Sequence, residues 1–385
     1  MKIILIGNYP LDRQESMERF AQMLYSGFSG AGVEVELWRP RVILGTWFNS
    51  SLSGLGKWVG YLDKWVLFPL LLRWRQLGLK RTDVRFHVCD HSNSPYLFHL
   101  PAETTIITCH DVLAIRGALG HADAYCPASG FGKILQKWIM FHLSRARRVG
   151  CVSQLTLDQL KALAPQKPPK SDWRVVHNAF NAKFGPMDPE DCLALVEKAG
   201  LKINRPFILH VGSGLPRKNR KVILDAVHAL GNRWQGVICF AGQGLDEKLM
   251  DHARSLGIEG RVVSVYKPDH ATLVALYNLC EVFIFPSFSE GFGWPIIEAQ
   301  ACGAPVIASN VPPLPEVSGG MAFHAHPDKP AEFAEAVLAL QDEATRKKTI
   351  SEGFKNCTRF EPTHMIDAYL DLHGLKRVQL SESCF

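Results

Sequence analysis

The sequence lacks several features that define whole classes of protein. Its longest uninterrupted apolar run, Trp65 to Leu72, is eight residues, whereas a membrane-spanning helix needs about 18 or more. Its ten cysteines include no Cys-x-x-Cys pair, which argues against a zinc finger or a disulfide framework and favours reduced cysteines. The N-terminal segment MKIILIGNYP has one lysine and a short apolar run, so it predicts a first strand and not a signal peptide. We therefore expect a cytoplasmic protein.

Two ligand-binding signatures are also missing. No Gly-x-Gly-x-x-Gly segment follows a predicted strand, which argues against a nicotinamide or flavin enzyme. The chain also has no motif of a nucleic-acid-binding module. We therefore expect no nucleic acid partner.

The composition is that of a globular protein with two domains. The chain has 385 residues, of which 47% are hydrophobic and 21% charged, and about 150 residues is a usual domain length. Residues 1–185 hold 23 basic and 13 acidic side chains, and residues 186–385 hold 20 and 24. This asymmetry indicates that the two halves meet different partners.

Short apolar segments alternate with helical patterns in both halves, which predicts two parallel-sheet α/β domains. The predicted strands of the first half are Lys2–Ile6, Val33–Leu37, Val84–Val88, Thr104–Thr108, Arg148–Val152 and Arg174–Val176. Those of the second half are Phe207–Val211, Gly236–Ala241, Val262–Val265, Val282–Phe285 and Val306–Ala308. Ligands of such sheets bind at the carboxyl ends of the strands, so the residues that follow each strand are the first candidates for a site.

A glycine-rich loop follows the predicted strand Val282–Phe285. Its sequence is Glu290-Gly291-Phe292-Gly293-Trp294-Pro295. The glycines let backbone amides turn toward a ligand at the positive end of the helix that follows, so the loop is a candidate cradle for an anion or a polar ligand. Glu298 lies about one turn inside that helix, and both carboxylates can face the same crevice. Because a carboxylate repels phosphate, we assign Glu290 and Glu298 to sugar hydroxyls.

Positive charge follows another predicted strand of the second half, Phe207–Val211. The segment reads Gly212-Ser213-Gly214-Leu215-Pro216-Arg217-Lys218. Arg217 offers a planar fork that matches phosphate oxygens, and Lys218 offers a mobile point charge. We expect the two cations to neutralise a diphosphate.

Three further candidates follow predicted strands. His110 comes after Thr104–Thr108 in the first half, where it is a candidate site residue or a group that satisfies buried backbone. Tyr266 and Lys267 come after Val262–Val265. They could line a nucleotide-base pocket, and they are equally well explained as surface side chains.

Glu290 and Glu298, with seven residues between them in SEGFGWPIIEAQACGAPVIAS, resemble the signature of the retaining glycosyltransferases of family 4. Other segments follow the family's order along nearly the whole chain: ITCHDVLAIR, RRVGCVSQLTLDQL, VVHNAF, HVGSGLPRKN, FAGQGLDEKL and FEPTHMIDAYLDL. The resemblance implies the GT-B fold, in which two Rossmann-like parallel-sheet α/β domains face a central cleft. It implies an acceptor-binding domain at 1–185, a nucleotide-sugar-binding domain at 186–360, and a helix at 361–385 that crosses back to the first domain.

The resemblance also implies roles for single residues. Glu290 would contact the transferred sugar, and Glu298 the nucleotide ribose. Arg217 and Lys218 would hold the diphosphate, while His110 would touch the sugar near the reacting carbon. Fixed cations would lower the barrier because negative charge builds up on the departing diphosphate. The chain has no Asp-x-Asp pair, the metal clamp of the other major glycosyltransferase fold, so we expect transfer without a metal or another cofactor.

The chain departs from the family pattern in two loops. Many relatives have a Gly-Gly pair after the first strand, whereas this chain has polar and charged residues there, and Asn8, Arg13 and Gln14 are its acceptor-side candidates. Ser213 stands where an arginine often follows the first glycine of the phosphate loop. Arg217 and Lys218 would therefore provide the positive charge that binds the diphosphate.

The stretch 47–85 is basic and aromatic, with seven basic residues against two acidic ones. Two interpretations stay open. The stretch could lie on an anionic bilayer and present a lipid-linked acceptor, or its aromatics could belong to the packing of the first domain with the cations in solvent. The helix predicted from Phe131 to Arg148 has apolar residues at helical spacing, so we expect it to face the core.

The leading hypothesis is a retaining, metal-independent transferase. It would move a hexose of mannose or glucose type from a nucleoside diphosphate sugar to a saccharide or lipid-linked saccharide in surface glycan biosynthesis. GDP-mannose and UDP-hexoses are comparable donors. The alternatives are a sugar-nucleotide epimerase of the same fold and a non-catalytic nucleotide-sugar-binding subunit. The expected location is the cytoplasm, with peripheral contact at the inner face of a membrane through 47–85.

Overall fold

The computed structural model describes residues 1–48, 54–80, 83–202 and 204–377. Positions 49–53 and 81–82 of the basic aromatic stretch and 378–385 of the predicted C-terminal segment lie outside the described residues. The chain forms two compact units. Unit 1 comprises Met1–Gly120, Cys126–Asn181 and Pro362–Phe385, and unit 2 comprises His121–Tyr125 and Ala182–Glu361.

Each unit contains one six-stranded sheet in which all neighbouring strands are parallel. The strands of unit 1 are β1 Lys2–Ile6, β2 Glu34–Trp38, β3 Val84–Val88, β4 Thr105–Cys109, β5 Arg148–Cys151 and β6 Asp172–Val175. Those of unit 2 are β7 Phe207–Gly212, β8 Val237–Gly242, β9 Val262–Tyr266, β10 Val282–Phe285, β11 Val306–Ser309 and β12 Phe323–Ala325. The eleven strands predicted from sequence all form, each within two residues of its expected bounds.

Helices connect the strands and cover both faces of each sheet. In unit 1 they are α1 Glu15–Gly30, α2 Gly54–Leu62, α3 Phe68–Gln76, α4 Leu113–Ala118, α5 Gly130–Leu143, α6 Gln154–Leu163 and α15 Pro362–Leu372. In unit 2 they are α7 Pro189–Lys198, α8 Arg220–Leu230, α9 Glu247–Ser255, α10 His270–Leu279, α11 Trp294–Ala301, α12 Leu314–Val317, α13 Pro330–Ala339 and α14 Glu343–Cys357. A π-helical turn, Asp63–Leu67, joins α2 to α3. None of the helices in the described residues is long and apolar enough to cross a bilayer.

The strand order reverses once in each sheet. Unit 1 has the order β2-β1-β3-β4-β5-β6, and unit 2 has the order β12-β11-β10-β7-β8-β9. Connections leave in opposite directions on the two sides of the reversal, so a crevice opens beyond the carboxyl ends of the strands there. The reversal lies between β1 and β3 in unit 1 and between β7 and β10 in unit 2. The residues after these four strands are therefore placed to bind ligands.

The central strand β1 shows why the sheet of unit 1 is covered on both faces. Ile3, Ile4, Leu5 and Ile6 are all fully buried. Successive side chains of a strand point to opposite faces. Ile4 and Ile6 pack in a cluster with α3 and α5, while Ile3 and Leu5 pack in a second cluster with α1 and α15. An apolar strand without alternation is what a parallel sheet covered on both faces requires.

Helix α15 packs closely on α1, at a glycine. A Cβ built on Gly27 would lie 2.3 Å from Cδ1 of Ile366, which is well inside van der Waals contact. Ile366 is buried in the same cluster as Phe20 and Leu24 of α1. The absence of a side chain at Gly27 therefore lets the C-terminal helix dock on the start of the chain.

We predict that Gly27→Ala lowers the free energy of unfolding by about 1–3 kcal/mol, because the added methyl overpacks against Ile366. Urea unfolding of the purified chain measures this. Gly30→Ala is the matched control on the same helix, since a Cβ at Gly30 meets nothing within 4 Å. In an Ile366→Ala background the Gly27→Ala cost should vanish, and an undiminished cost there would contradict the packing explanation.

Candidate active site

The crevice of unit 2 brings together two loops that are 72 residues apart in sequence. One loop follows β7 and carries Arg217 and Lys218, and the other follows β10 and carries Glu290. Lys218 donates from Nζ to Oε1 of Glu290 at 2.6 Å, and Arg217 Nη1 lies 2.7 Å from Oε2 of Glu290. One carboxylate thus bridges both cations that the sequence analysis assigned to a diphosphate.

Burial strongly influences the charge states of Glu290 and Lys218. Glu290 and Lys218 are each less than a tenth exposed. Desolvation acts to raise the pKa of Glu290, but the nearby charges of Lys218 and Arg217 outweigh it, so the pKa lies below its usual value. For Lys218, desolvation lowers the pKa, with a further contribution from the like charge of Arg217, and Glu290 opposes both. The buried ammonium of Lys218 therefore needs a neighbouring anion to stay protonated.

The backbone of the two loops fixes the cluster. The amide of Phe288 donates to the carbonyl of Arg217 at 2.8 Å, and Arg217 Nη1 donates to the carbonyl of Ser289 at 3.0 Å. Asn219 adopts a left-handed backbone with φ of 51°, which asparagine tolerates better than most residues. Its side chain donates to the carbonyls of Pro286 and Pro327 at 3.1 and 2.8 Å. The cations are thus preorganised by contacts on both sides of the crevice.

Glycine is required at two places around this crevice. Gly293, the residue before α11, has φ of 108°. Gly242, at the end of β8, has φ of 112°, and a Cβ there would lie 2.8 Å from the carbonyl oxygen of Gly212. Gly212 pairs directly with Gly242 across the two strands, and Ser213, which follows it, is half-buried. The ends of β7 and β8 therefore approach more closely than side chains at these two positions would allow.

The remaining predicted donor-side residues have different surroundings. Glu298 is buried on α11 and accepts a hydrogen bond from the hydroxyl of Tyr277 at 2.9 Å. Gly291 is half-buried in the loop after β10. Phe292 is buried, and its ring packs edge-on against Trp294 and Phe360 at centroid distances of 5.9 and 5.7 Å. The Phe292 side chain therefore supports the loop from the protein side.

Tyr266 and Lys267 lie at the end of β9, the edge strand two positions from β7. Tyr266 is 66% exposed, and the ammonium of Lys267 lies 5.5 Å from the centre of its ring. Lys267 has φ of 45° and donates its amide to the carbonyl of Gly242 at 2.8 Å. The turn is tied to the sheet, while the two side chains remain as surface groups. Their predicted role in base binding stays a prediction.

The crevice of unit 1 contains a buried polar cluster. Asn8, after β1, donates from Nδ2 to Oδ2 of Asp90, after β3, at 2.6 Å. The same amide is hydrogen-bonded to Oε1 of Gln14, and Asn93 donates to Oδ1 of Asn8 at 2.9 Å. The structure thus brings together two acceptor-side candidates, Asn8 and Gln14. Arg13, the third, has a left-handed backbone with φ of 50° in the same loop.

Asp90 is a candidate site residue that sequence reasoning missed. It is almost fully buried and also accepts hydrogen bonds from the amide and hydroxyl of Ser92, at 2.9 and 2.7 Å. Burial acts to raise the pKa of Asp90, but the neighbouring histidines, His91 before His110, and the Ser92 hydrogen bonds lower it overall. The signal that could have found it was its position, two residues after the predicted strand Val84–Val88.

His110 lies at the end of β4 in unit 1, as its place after a predicted strand implied. Its Nε2 is 2.9 Å from the carbonyl oxygen of Cys89, which can only accept, so Nε2 carries the proton. Burial lowers the pKa of His110, and the ring meets Phe20 edge-on at 4.6 Å. Nδ1 has no hydrogen-bond partner among the described residues. His110 therefore presents a neutral imidazole with an unprotonated Nδ1.

Comparison with known proteins identifies unit 2. Residues 194–356 match the family described as glycosyl transferases group 1. The chain carries a glycosyltransferase domain. The whole crevice of Arg217, Lys218, Glu290 and Glu298 lies within this domain. The predicted enzyme class, a glycosyltransferase, is thereby confirmed.

Two curated relatives from Escherichia coli extend the similarity beyond this domain. The O-antigen chain mannosyltransferase B is 29% identical over 284 residues, which cover 71% of this chain and 72% of the relative. The serotype-specific mannosyltransferase WbdA is 27% identical over 303 residues, 75% of this chain and 36% of the relative. The chain therefore spans about a third of the length of WbdA.

A solved structure confirms the predicted fold class. The sucrose-phosphate synthase of Thermosynechococcus elongatus superposes with a TM-score of 0.73 at 18% identity, and the alignment covers 97% of this chain and 98% of that one. Both chains have the two-sheet α/β architecture of GT-B glycosyltransferases.

Within the described residues of the present chain, no three His, Cys, Asp or Glu side chains gather in a way that could hold a metal ion.

The ion pairs of Glu290 predict a pH dependence of stability. The pKa of Glu290 is lower in the folded protein than its usual value of 4.5. The pairs therefore stabilise the fold above that pH and lose their contribution as the pH falls through the lowered folded-state value. We expect Glu290→Gln to cost about 3 kcal/mol at neutral pH, because two cations lose their counterion.

Chemical denaturation of both proteins over a pH series measures this difference. It should be constant near neutrality and shrink below about pH 4.5, where the wild-type carboxylate becomes protonated. A difference that stays constant or grows in acid would contradict the assignment.

Proposed function

We propose that the protein transfers a hexose, with retention of configuration and without a metal ion, from a nucleoside diphosphate sugar to a saccharide or lipid-linked saccharide acceptor. The observation that carries the proposal is the buried bridge of Arg217 and Lys218 by Glu290 at the strand-order reversal of the glycosyltransferase domain. The similarity to mannosyltransferases of Escherichia coli favours a mannose-type sugar and a role in surface glycan biosynthesis.

The charge balance of the bridge suggests how a donor would bind. Two cations and one carboxylate leave one net positive charge in a crevice from which water is largely excluded. A diphosphate would supply the anion that Lys218 needs, and Glu290 could then accept hydrogen bonds from hydroxyls of the transferred sugar. In this scheme Glu298, held by Tyr277, would accept from the nucleotide ribose.

The same cations would act in the chemical step. Cleavage of the bond between the anomeric carbon and the phosphate oxygen leaves the electron pair on the diphosphate and positive charge on the sugar. Cations that are already in place stabilise that separation without reorganisation. The acceptor hydroxyl would attack from the face that the phosphate leaves, and its proton would pass to the departing phosphate oxygen. Configuration at the anomeric carbon is then retained.

Unit 1 would supply the acceptor side. Its crevice offers the carboxylate of Asp90 and the amides of Asn8 and Gln14. These groups accept or donate hydrogen bonds without carrying a net positive charge. Such a set suits the hydroxyls of a saccharide better than it suits a second phosphate.

Glu290→Gln tests the proposal. We expect turnover to fall about 100-fold or more, because the contact with the transferred sugar depends on the carboxylate. Binding of GDP or UDP should be kept or strengthened, since the cations lose their internal counterion. Transfer assays with GDP-mannose and UDP-glucose and calorimetric titration with the free nucleotides measure the two effects.

Glu343→Gln, an exposed glutamate on α14, is the matched control and should leave both activities unchanged. Loss of nucleotide binding with normal turnover in Glu290→Gln would contradict the assignment. Recovery of isomerised donor without any transfer would instead favour an epimerase.

Metal independence has its own test. We expect the wild-type enzyme to keep full transfer activity in excess EDTA, because fixed cations would take the place of a metal at the diphosphate. Steady-state rates with and without the chelator measure this. Abolished activity that only Mg²⁺ restores would overturn this part of the proposal.

A further inference from the structure

The helical run from α2 through the π-turn to α3 exposes an unbroken apolar stripe. Its members recur every three or four residues, so they share one side of the helix. They are Leu55, Trp58, Leu62, Val66, Leu70, Trp74 and Leu77. Each is at least 47% exposed, and Leu77 is 83% exposed. The opposite side of the same run, with Phe68 and Leu72, is buried in the core of unit 1.

Helix α5 adds a second stripe beside the first. The sequence predicted that α5 faces the core, and this is wrong for half of the helix. Ile139 and Leu143 are buried, whereas Ile134 is 66% and Phe141 50% exposed. Four exposed apolar residues recur here at positions 131, 134, 138 and 141. The helix has apolar residues on two sides, and only one of them meets the core.

Aromatic contacts join the two stripes into one surface. Trp58 of α2 meets Phe131 of α5 at a ring-centroid distance of 4.9 Å, and Trp65 meets Trp138 at 5.1 Å. Phe98, which is 69% exposed, lies next to this surface in the segment between β3 and β4. We call this surface the apolar face of unit 1. Half of the large apolar side chains that the described residues expose lie on it.

The charges on this face have one sign. Between residues 54 and 80 the single acid is Asp63, which is buried and accepts from the amides of Leu44 and Gly45. Between residues 126 and 147 there is no acid. The exposed cations around the face are Arg73, Lys80, Lys133, Lys137 and Arg145. The face therefore combines exposed apolar side chains with exposed cations, and no exposed acid lies within 54–80 or 126–147.

This combination selects among possible partners. A second copy of the chain would set the same cations against one another, so self-association through this face is opposed by charge. Nucleic acid would leave most of the aliphatic side chains in water. An anionic bilayer satisfies both properties, because apolar side chains enter the boundary between headgroups and acyl chains while cations meet the headgroup charge.

Hydrogen bonds and an ion pair connect the apolar face to the crevice of unit 1. In the π-turn, Asp63 accepts from the hydroxyl of Tyr9 at 2.7 Å, and Lys64 binds the carboxylate of Asp12 at 3.0 Å. Tyr9 and Asp12 belong to the loop that carries Asn8 and Gln14. On the other side, Ser94 donates to the carbonyl of Ile139 in α5 at 2.7 Å. Both stripes are thus anchored to segments that line the crevice.

We propose that the apolar face of unit 1, formed by α2, α3 and α5 together, binds the surface of an anionic lipid bilayer and so holds the acceptor crevice close to lipid-linked substrates. The proposal deepens the proposed function, on which its biological meaning rests. It extends the membrane contact predicted for 47–85 to a helix that the sequence assigned to the core.

Vesicle co-sedimentation tests the proposal with the full chain. The wild type should bind vesicles of phosphatidylglycerol and phosphatidylcholine in equal parts, bind phosphatidylcholine alone far less, and dissociate as salt is raised. Ile134→Ser combined with Phe141→Ser should weaken binding about tenfold or more. Both side chains are exposed, so circular dichroism and urea unfolding should match the wild type.

Matched controls come from unit 2. Leu193→Ser with Phe354→Ser removes one aliphatic and one aromatic side chain that are also exposed, and should leave vesicle binding unchanged. Replacing Lys133, Lys137 and Arg145 by glutamine should weaken binding to the anionic vesicles about tenfold or more. The same change at Lys347, Lys348 and Lys355 of α14 should have little effect.

Three outcomes would overturn the proposal: no vesicle binding at low salt, equal binding to both vesicle types, or a concentration-dependent dimer that the Ile134 and Phe141 changes abolish. Transfer to a lipid-free saccharide acceptor separates this test from that of the proposed function. The Ile134 and Phe141 variant should keep that activity while it loses transfer to an acceptor embedded in vesicles. If the wild type binds vesicles but transfers to neither acceptor, the proposed function is wrong, while bilayer binding by the apolar face is still supported.

Discussion

The reversal of strand order in each sheet is the constraint from which both crevices follow. Strands β7 and β10 are neighbours in the sheet although two strands, β8 and β9, lie between them in sequence. The loops after β7 and β10 therefore meet, and Arg217 and Lys218 reach Glu290. In unit 1, β1 and β3 are neighbours in the same way, and Asn8 meets Asp90. Topology alone brings these distant residues to one place.

The electrostatics of the unit 2 crevice explain why a carboxylate stands among cations that would bind phosphate. A buried ammonium is costly without an anion, and Lys218 is buried before any ligand arrives. Glu290 keeps the two cations charged and fixed. In the proposed function, a diphosphate would enter a site whose positive groups are already oriented, and the carboxylate would then be free to bind a hydroxyl. Under that proposal, Glu290 would both stabilise the buried cations and recognise the sugar.

Much of this was accessible from the sequence because its signals are local. The apolar strands and the residues after them fixed the sheets and located Arg217, Lys218 and Glu290. The sequence did not predict the bridge itself. Repulsion between carboxylate and phosphate argues against an acid beside the two cations, but a buried Lys218 without a neighbouring anion is costly, and its burial is visible only in the structure. Asp90 was overlooked because a single acid after a strand carries no motif. Strand β12 was missed because three residues, one of them a polar histidine, give no period to detect.

Helix α5 shows a different limit of sequence reasoning. Periodicity states that apolar residues share a side of a helix, but it does not state which side meets the core. Helix α5 has two apolar sides, and tertiary packing chooses the one with Ile139 and Leu143. The run 54–76 has the same property, and the bilayer contact of its outer side stays a proposal. Its inner side packs in unit 1, as Phe68 and Leu72 show.

The outer side is the part that packing within unit 1 does not explain. An exposed apolar patch larger than a few hundred Å² is uncommon on a soluble monomer and usually marks an interaction site. Here a stripe of seven exposed apolar residues from Leu55 to Leu77 is joined by aromatic contacts to a second stripe on α5. The solvent-facing half is the feature on which the proposed bilayer contact rests. In that proposal the surrounding cations would meet anionic headgroups, and the hydrogen bonds from Tyr9 to Asp63 and from Ser94 to Ile139 would fix the crevice of unit 1 relative to the bilayer.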